Sequence, residues 1–351
     1  MKKIIFLFFL KLLICNLYIN NTKIYKNNNF TEKALYGNLN QDNLNLKKKN
    51  LILSIIVRYS WNIILPFIKS FIKLNINNCD IVIFISEVSH KVKNNLKNLG
   101  VIIFEIKKKL KHPTDIFRER WKLYSDFLNE NKYNYNLVLC IDIRDTIIQK
   151  EFFSIFSNYT NFLGFSYESS TNNKLIGKYY IIKTFGIEKY KSIINKRTIN
   201  AGIVWGTIDY LINFSNIVYK KLLIYFIYDQ TIINYLIYYE NILNNWNVIY
   251  SDEYGQVITL GLTEHNKIYL DLDNNILNRK GEIVSIVHQY DRVAGLNIII
   301  KNKLCPELKH KVRTLDIYNL LFMHELLIII LFFKMMFYIY NIKSKLNKIN
   351  K

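Results

Sequence analysis

Cysteine is scarce in this chain, and acid is outnumbered by base. The 351 residues include four cysteines, Cys15, Cys79, Cys140 and Cys305. None of them forms a Cys-x-x-Cys pair, which argues against a structural zinc site. Cys15 lies in a hydrophobic leader and Cys140 in an apolar run expected to be a central strand, so neither belongs to a disulfide framework. Asp and Glu number 27 against 48 Lys and Arg, a formal net charge of +21. A charge of that size would suit nucleic acid or anionic lipid. Its distribution argues otherwise: the lysines are scattered among Asn, Ile and Tyr along nearly the whole chain. The tracts at Lys47–Lys49 and Lys107–Lys109 are short and lack the arginines that read base edges. The pattern fits solvated lysine faces and predicts no nucleic-acid partner. Half the residues are apolar and 15% are aromatic, so most of the chain is expected to fold around a sizeable core.

Neither end carries an uninterrupted apolar span. Lys2-Lys3 precede an apolar run from Ile4 to Ile19 that is broken by Lys11 and Asn16. A charged start before a hydrophobic middle is the layout of a signal peptide or signal-anchor over residues 1–19. The run is shorter than the ~20 residues that comfortably span a bilayer. No small-x-small cleavage site stands out, which favours a retained anchor. Near the other end, Leu320 to Tyr340 is interrupted by His324, Glu325 and Lys334. A mid-span lysine costs about 2.5–3.5 kcal/mol on insertion. A membrane span and a helix packed on the folded domain therefore both remain open for residues 301–351. If both ends span, Lys2-Lys3 and the lysines from Lys343 onward lie on the cytosolic side and the domain between them is lumenal. Asn20, Asn29, Asn158 and Asn213 begin Asn-x-Ser/Thr triplets, which in so asparagine-rich a chain also arise by chance.

Residues 20–50 are rich in Asn and Lys without a sustained period, the composition of a stem. From Leu51 the pattern changes. Leu51–Val57, Asp80–Ile85, Val101–Ile106 and Asn136–Ile141 are β-rich runs. Between them, Trp61–Leu74 and Ser89–Leu99 have helical character, and Thr114–Asn129 places Phe117, Trp121, Tyr124 and Leu128 at spacings of three and four. Alternation of this kind predicts an α/β domain over residues 51–300, with a parallel, Rossmann-like sheet sandwiched by helices. Ligands of such sheets sit at the carboxyl ends of the strands. The residues just after Ile141 are therefore the first place to look for chemistry.

The segment Val138-Leu-Cys-Ile-Asp142-Ile-Arg144-Asp145 puts two carboxylates and an arginine at the end of a buried strand. Burying a carboxylate is costly unless it is paired or bound to a metal. Carboxylate oxygens suit Mg²⁺ or Mn²⁺, which in turn bind diphosphate oxygens. Spacing alone leaves a second reading open, in which Arg144 simply pairs with one aspartate as a strand-end cap. His288 follows the apolar run Ile283–Val287, again at a strand end, and Arg292 is four residues on. Asp229 stands where a helix N-cap belongs, so capping and general-base or acceptor-holding roles are both open to it. Arg118 and Arg120 are open to two roles, neutralising the charge of a donor or pairing with Asp115 and Glu119 on their own helix, and spacing favours the pairing.

Together these pieces carry a resemblance. "VLCIDIRDTIIQKEFF" looks like the metal-binding strand end of GT-A glycosyltransferases, where an Asp-x-Asp-type motif follows an apolar strand. Asn200-Ala-Gly202-Ile-Val-Trp-Gly206 resembles the strand and glycine turn that line the donor-sugar pocket. Asp229-Gln230 resembles that family's helix start facing the acceptor, and Ile286-Val-His288-Gln-Tyr-Asp291-Arg292 its late histidine motif. The chain departs from the pattern in having Asp-x-x-Asp, with Arg144 where a strict motif places its second acid. The resemblance implies a glycosyltransferase with a nucleoside diphosphate sugar donor, UDP-linked, and a glycan or glycoprotein acceptor. Its implied metal ligands are Asp142, Asp145 and His288, holding Mn²⁺ or Mg²⁺. Asp142, Arg144, Asn200, Gly202 and Arg292 would face the donor and Asp229 the acceptor. Such an enzyme would work in the lumen of the Golgi or endoplasmic reticulum, held to the membrane by its N-terminal anchor. Two rivals remain: a non-catalytic membrane protein that keeps this fold, and a nucleotidyltransferase. The second lacks its usual glycine-rich loop, since Arg58-Tyr-Ser-Trp comes after the first strand.

Overall fold

Strand β1 (Lys49–Val57) has seven consecutive buried residues from Leu51 onward, so both of its faces are covered. Its apolar run is continuous for that reason, whereas a half-exposed strand would alternate. The computed structural model describes residues 48–308 apart from Asn173, Lys174, Leu262, His265, Asn266 and Ala294. The hydrophobic leader, nearly all of the stem and the apolar run from Leu320 to Tyr340 lie outside the described residues. Among the described residues no helix is long and apolar enough to cross a membrane.

After β1 come α1 (Trp61–Lys73), β2 (Cys79–Ser86), α2 (His90–Asn98), β3 (Ile102–Glu105), α3 (Pro113–Glu130) and β4 (Tyr135–Ile141). The caps are local. The Ser89 hydroxyl accepts the Val92 amide at 3.4 Å to open α2. At α3, Pro113 stands at the start of the helix, where its missing N–H costs nothing, and Asp115 accepts the His112 amide at 3.1 Å. The four strands pair in parallel in the order β3-β2-β1-β4.

The second half departs from a purely parallel sheet. It runs β5 (Thr146–Ile148), β6 (Phe162–Thr171), α4 (Leu175–Phe185), α5 (Ile187–Ile193), β7 (Arg197–Thr207), α6 (Ile208–Ile224), α7 (Asp229–Tyr238) and β8 (Asn247–Ser251). The main sheet has seven strands, β3-β2-β1-β4-β7-β6-β8, and β7 is antiparallel to both of its neighbours. Strands β4, β6 and β8 therefore end on one rim, where β7 begins. Helices cover both faces. Around Trp121, Tyr124 and Phe214 the helices α3, α6 and α7 close one core, with Trp121 edge-on to Phe214 at 5.6 Å. Helix α1 closes the other around Ile64, Phe67 and Trp205.

Three short strands form a separate sheet, β5-β12-β9, from β5, β9 (Val257–Thr259) and β12 (Ile286–His288). Beyond it lie the hairpin of β10 (Tyr269–Leu270) and β11 (Ile276–Leu277), and α8 (Leu296–Leu304). The sequence places His288 at the end of an apolar strand, Ile283–Val287, and the strand that forms is shorter, Ile286–His288. It lies in this small sheet, antiparallel to β5, with His288 paired to Thr146.

Candidate active site

Because β5 starts one residue after Asp145, its pairing with β12 brings distant chain to the end of β4. The Asp145 carbonyl accepts the Gln289 amide at 2.7 Å, so His288 is fixed beside the aspartate by backbone bonds. At the turn itself, the Thr146 hydroxyl donates to the Asp142 carbonyl at 2.6 Å, and the Asp142 amide donates to the Gly202 carbonyl on β7 at 2.8 Å. Gln289 has φ 58°, and Arg58 at the end of β1 has φ 60°. Left-handed backbone at non-glycine residues persists only where the surroundings enforce it, and it gathers at functional sites.

The Asp145 side chain is 3% exposed and divides its two oxygens. Its Oδ2 accepts from Arg144 Nη2 at 2.6 Å and lies 3.6 Å from Arg292 Nη2. Its Oδ1 faces His288 Nε2 at 3.4 Å, yet neither atom has a hydrogen-bond partner. Arg144 also reaches Asp291 at 3.7 Å. Burial alone would raise the Asp145 pKa. The facing His288 and the guanidinium groups of Arg144 and Arg292 outweigh burial and hold it well below the usual carboxylate range. The half-open Asp142 carboxyl moves the other way, raised by desolvation and by the Asp145 charge against the pull of Arg120. On the opposite wall burial, with the same two aspartates, pushes Tyr59 up to about 12.

Gly202 lies where these groups meet. A Cβ at this position would stand 2.5 Å from His288 Cε1 and 2.8 Å from both His288 Nε2 and Asp142 Oδ2. The free oxygen of Asp142 and the free nitrogen of His288 thus converge on one point, and the orphaned Asp145 oxygen adjoins the same nitrogen. Two ligands of one divalent ion, each about 2.0–2.1 Å from it, stand roughly 3 Å apart. Asp145 Oδ1 and His288 Nε2 make no well-aligned hydrogen bond and face each other as an ion pair at 3.4 Å, a spacing that a shared divalent ion would also suit. Among the described residues, no group of three or more His, Cys, Asp or Glu side chains is placed to hold a metal ion.

The residue that sequence reasoning misplaces is Arg120. Its spacing offers it Glu119 and Asp115 as partners. Arg118 does pair on its own helix, with Asp115 at 3.0 Å. Arg120 points inward instead, donating to Asp142 Oδ1 at 2.5 Å and to Asp229 Oδ2. The signal was present: Arg120 lies four residues before the buried Tyr124, so it shares the apolar face of α3. Its two acid neighbours keep the guanidinium charged although burial opposes it.

Asp229 is expected from the sequence at a helix N-cap or at the acceptor. The cap position belongs to Tyr228, and Asp229 is the first residue of α7. Both of its oxygens are engaged: Oδ2 also accepts from Trp121 Nε1 at 2.9 Å, and Oδ1 accepts the Gln230 amide at 2.9 Å. Asn200 lies further along the rim. Its amide donates to Glu168 at 3.0 Å and its carbonyl oxygen accepts the Gly202 amide at 2.7 Å. Gln230 also donates to Glu168 at 3.0 Å. Nothing in the sequence singles out Glu168, which is buried among these amides. The structure thus gathers Asp142, Arg144, Asp145, Asn200, Gly202, Asp229, His288 and Arg292 along one stretch of the rim. Arg120, Tyr59 and Glu168 join them.

No protein-family model matches the sequence, and no curated protein matches it. Solved structures do. The apo structure of WbbM, a bifunctional glycosyltransferase, aligns at 15% identity over 77% of this chain and 52% of that one, with a TM-score of 0.50. This chain therefore spans about half of that protein's length. The galactosyltransferase LgtC, in complex with donor and acceptor sugar analogues, aligns at 14% identity over 73% of this chain and 96% of its own, with a TM-score of 0.45. An active-site mutant of LgtC gives the same identity and coverage, with a TM-score of 0.44. Identity this low speaks to architecture only. The chain has the fold of the GT-A glycosyltransferases.

Proposed function

We propose that this chain is a glycosyltransferase that moves a sugar from a nucleoside diphosphate sugar, UDP-linked, to a hydroxyl of a glycan or glycoprotein. One observation carries the reading: Asp142 Oδ2 and the His288 ring converge beside Gly202, and Asp145 Oδ1 faces His288 Nε2 at 3.4 Å, on the rim where strands of this fold end.

Asp142, Asp145 and His288 would hold a divalent ion, Mn²⁺ or Mg²⁺. When bound, the ion supplies positive charge to the departing diphosphate, where negative charge develops. The rest of the work falls to the chain. Arg144 and Arg292 flank Asp145 and are each part-exposed, so their free donors can reach phosphate oxygens. Gly202 leaves room for the donor sugar because it has no side chain. Arg120 orients Asp142 from behind, and Asp229 holds Arg120, so Asp229 acts as a positioning residue. Asn200, Gln230 and Glu168 form a polar wall beside the sugar position, able to fix hydroxyl groups.

The test is a panel of nucleotide sugars incubated with the full chain and Mn²⁺, scored for slow hydrolysis, since water serves as acceptor for any transferase of this class. Hydrolysis of one UDP sugar, lost with a chelator and in Asp145→Ala and His288→Ala alike, is the expected result. The double variant should lose little more than the worse single one, because ligands of one ion act as a unit. Hydrolysis and UDP binding that both ignore the chelator would remove the metal from the reading. A secretory-pathway location with a lumenal domain belongs to the same proposal and rests on the leader sequence. Protease digestion of the domain in demonstrably sealed microsomes would contradict it.

A further inference from the structure

The rim that carries the site continues past Glu168 into a cavity of about 350 Å³. It lies beyond the carboxyl ends of β6 and β8, under the hairpin of β10 and β11. Its volume falls within the roughly 300–1,000 Å³ of small-molecule pockets. Two features tie it to the site. Thr259 lines the cavity, and its hydroxyl stands 3.5 Å from His288 Nδ1 and 2.9 Å from the Ser166 hydroxyl. Arg197 also lines it and lies on the same strand as Asn200, about 10 Å away at ~3.3 Å per strand residue.

The wall has a definite chemistry. Arg197 donates to Glu253 at 2.7 Å and to Asp252 at 3.4 Å, and its guanidinium lies over the Tyr167 ring at 4.8 Å. Arg279 stands 3.9 Å from Glu253 and donates to the Tyr254 hydroxyl at 3.4 Å. The third cation on the wall, Lys267, pairs with Glu264 at 2.8 Å. Among the described residues every lining cation therefore already has an acid, and an anionic ligand held by one of them would have to break that pair. A neutral polyol would not. The half-exposed carboxylates and guanidinium groups offer acceptors and donors in fixed directions. Ser169, Ser170 and Thr171 add hydroxyls, and the ring of Tyr269, 48% exposed, offers an apolar face. Dense paired donors and acceptors beside an aromatic face are what the hydroxyls and C–H face of an uncharged sugar require.

We propose that this cavity binds the inner units of an uncharged oligosaccharide acceptor, leaving the outermost sugar to reach along the rim to the donor site. The acceptor of this chain is accordingly a glycan of at least two units, not a single sugar or a bare protein side chain. The inference rests on the transferase reading, which names the site the outermost unit reaches.

The experiment uses the full chain, wild type and Tyr269→Ala and Arg279→Ala, with a ladder of neutral hexose oligomers from one to four units and a sulfated trimer. Neither substituted residue belongs to the donor site, so hydrolysis of the nucleotide sugar serves as an internal control. The expected result is a KM that falls from the monomer to the longer oligomers in the wild type. In the variants that length preference shrinks by roughly tenfold, the loss of one ring face or one polar anchor, while donor hydrolysis stays normal. Equal KM values for monomer and trimer, unchanged length preference in both variants, or a preference for the sulfated trimer would overturn the proposal. Should the wild type hydrolyse no nucleotide sugar, the transferase reading fails on its own. The cavity is then judged by direct titration with the neutral oligomers: binding that Tyr269→Ala weakens sustains it, and no binding sinks it.

Discussion

Replacing Gly202 by alanine is the sharpest probe of the site, because the structure fixes what one added methyl meets. It would lie 2.5 Å from His288 Cε1 and 2.8 Å from both His288 Nε2 and Asp142 Oδ2, and real Cβ contacts essentially never fall below 3.0 Å. The neighbours cannot simply step aside. The His288 side chain is 1% exposed and its strand is paired on both sides, while Asp142 is held by Arg120. Overpacking of this kind costs about 1–3 kcal/mol. For a domain of this size each kcal/mol lowers Tm by roughly 2–4 °C. If Asp142 and His288 hold the proposed ion, the same strain should weaken Mn²⁺-dependent UDP binding by roughly five- to 150-fold. Thermal denaturation and a fluorescence titration with UDP and Mn²⁺ read the two effects. Gly164→Ala is the control: its methyl would lie 2.0 Å from Trp205 Cε2, inside the sheet and away from the site. It should lower Tm at least as much and leave UDP binding by the folded fraction normal. The reasoning fails if Gly202→Ala melts and binds like the wild type, or if the Gly164 variant loses UDP binding equally.

Asp229→Asn separates a helix-start residue from a buried ion-pair partner. A helix start would tolerate the change, whereas removing one partner of a buried pair costs about 3–5 kcal/mol, reduced here because Asp142 still balances Arg120. Chemical denaturation should show a loss above about 1 kcal/mol, and wild-type stability would return Asp229 to the role of a helix start. Arg120→Lys keeps the charge but cannot reach both acids with one flexible ammonium. Transfer should fall more than tenfold, with a higher Mn²⁺ requirement as Asp142 loses its orientation; unchanged Mn²⁺ titration would deny Arg120 that role. The last prediction concerns pH. Asp145 has a depressed folded pKa, so its pairing contributes stability that is complete above the unfolded carboxylate value of about 3.9 and is lost as pH falls below it. In chelator, the Tm advantage of wild type over Asp145→Asn should stay flat from about pH 8 to 5 and shrink only below about pH 4. An advantage that already changes between about pH 8 and 5 would refute the assignment to the Asp145 carboxylate.

How far the sequence reveals this depends on how far each signal reaches along the chain. The strands of the first half are legible because burial on both faces leaves continuous apolar runs such as Leu51–Val57, and α3 because Phe117, Trp121, Tyr124 and Leu128 fall on one stripe. Strand direction is not. Strand β7 is buried along nearly its whole length as β4 is, and only its pairing between β4 and β6 shows that it is antiparallel. Asp142, Asp145 and His288 stand out because acids and a histidine at the ends of apolar runs are conspicuous. The route that joins them is hidden, since β12 meets β5 in a small sheet whose three-residue strands leave almost no periodic trace. Arg120 escapes for a different reason. Local pairing rules offer it Glu119 and Asp115, and its true partners lie 22 and 109 residues away.

The departure from a strict Asp-x-Asp spacing is accommodated by the same contacts. One extra residue between the acids would normally turn the second side chain away from the first. Here the Thr146 hydroxyl closes the turn onto the Asp142 carbonyl, and the bond from Gln289 pins the Asp145 carbonyl, so the Asp145 carboxylate faces His288. Arg144, standing where the second acid of a strict motif would fall, pairs with Asp145 and Asp291. A bare cluster of acids would be strained without its cation, and losing one would relieve it. This cluster is not bare. Asp142 and Asp229 share Arg120, Asp291 meets Arg144, and Asp145 meets both Arg144 and Arg292. Each of these acids thus has a guanidinium partner inside the domain. What the arginines leave uncommitted is Asp142 Oδ2 and the His288 ring, both turned toward the space beside Gly202, with Asp145 Oδ1 3.4 Å from His288 Nε2.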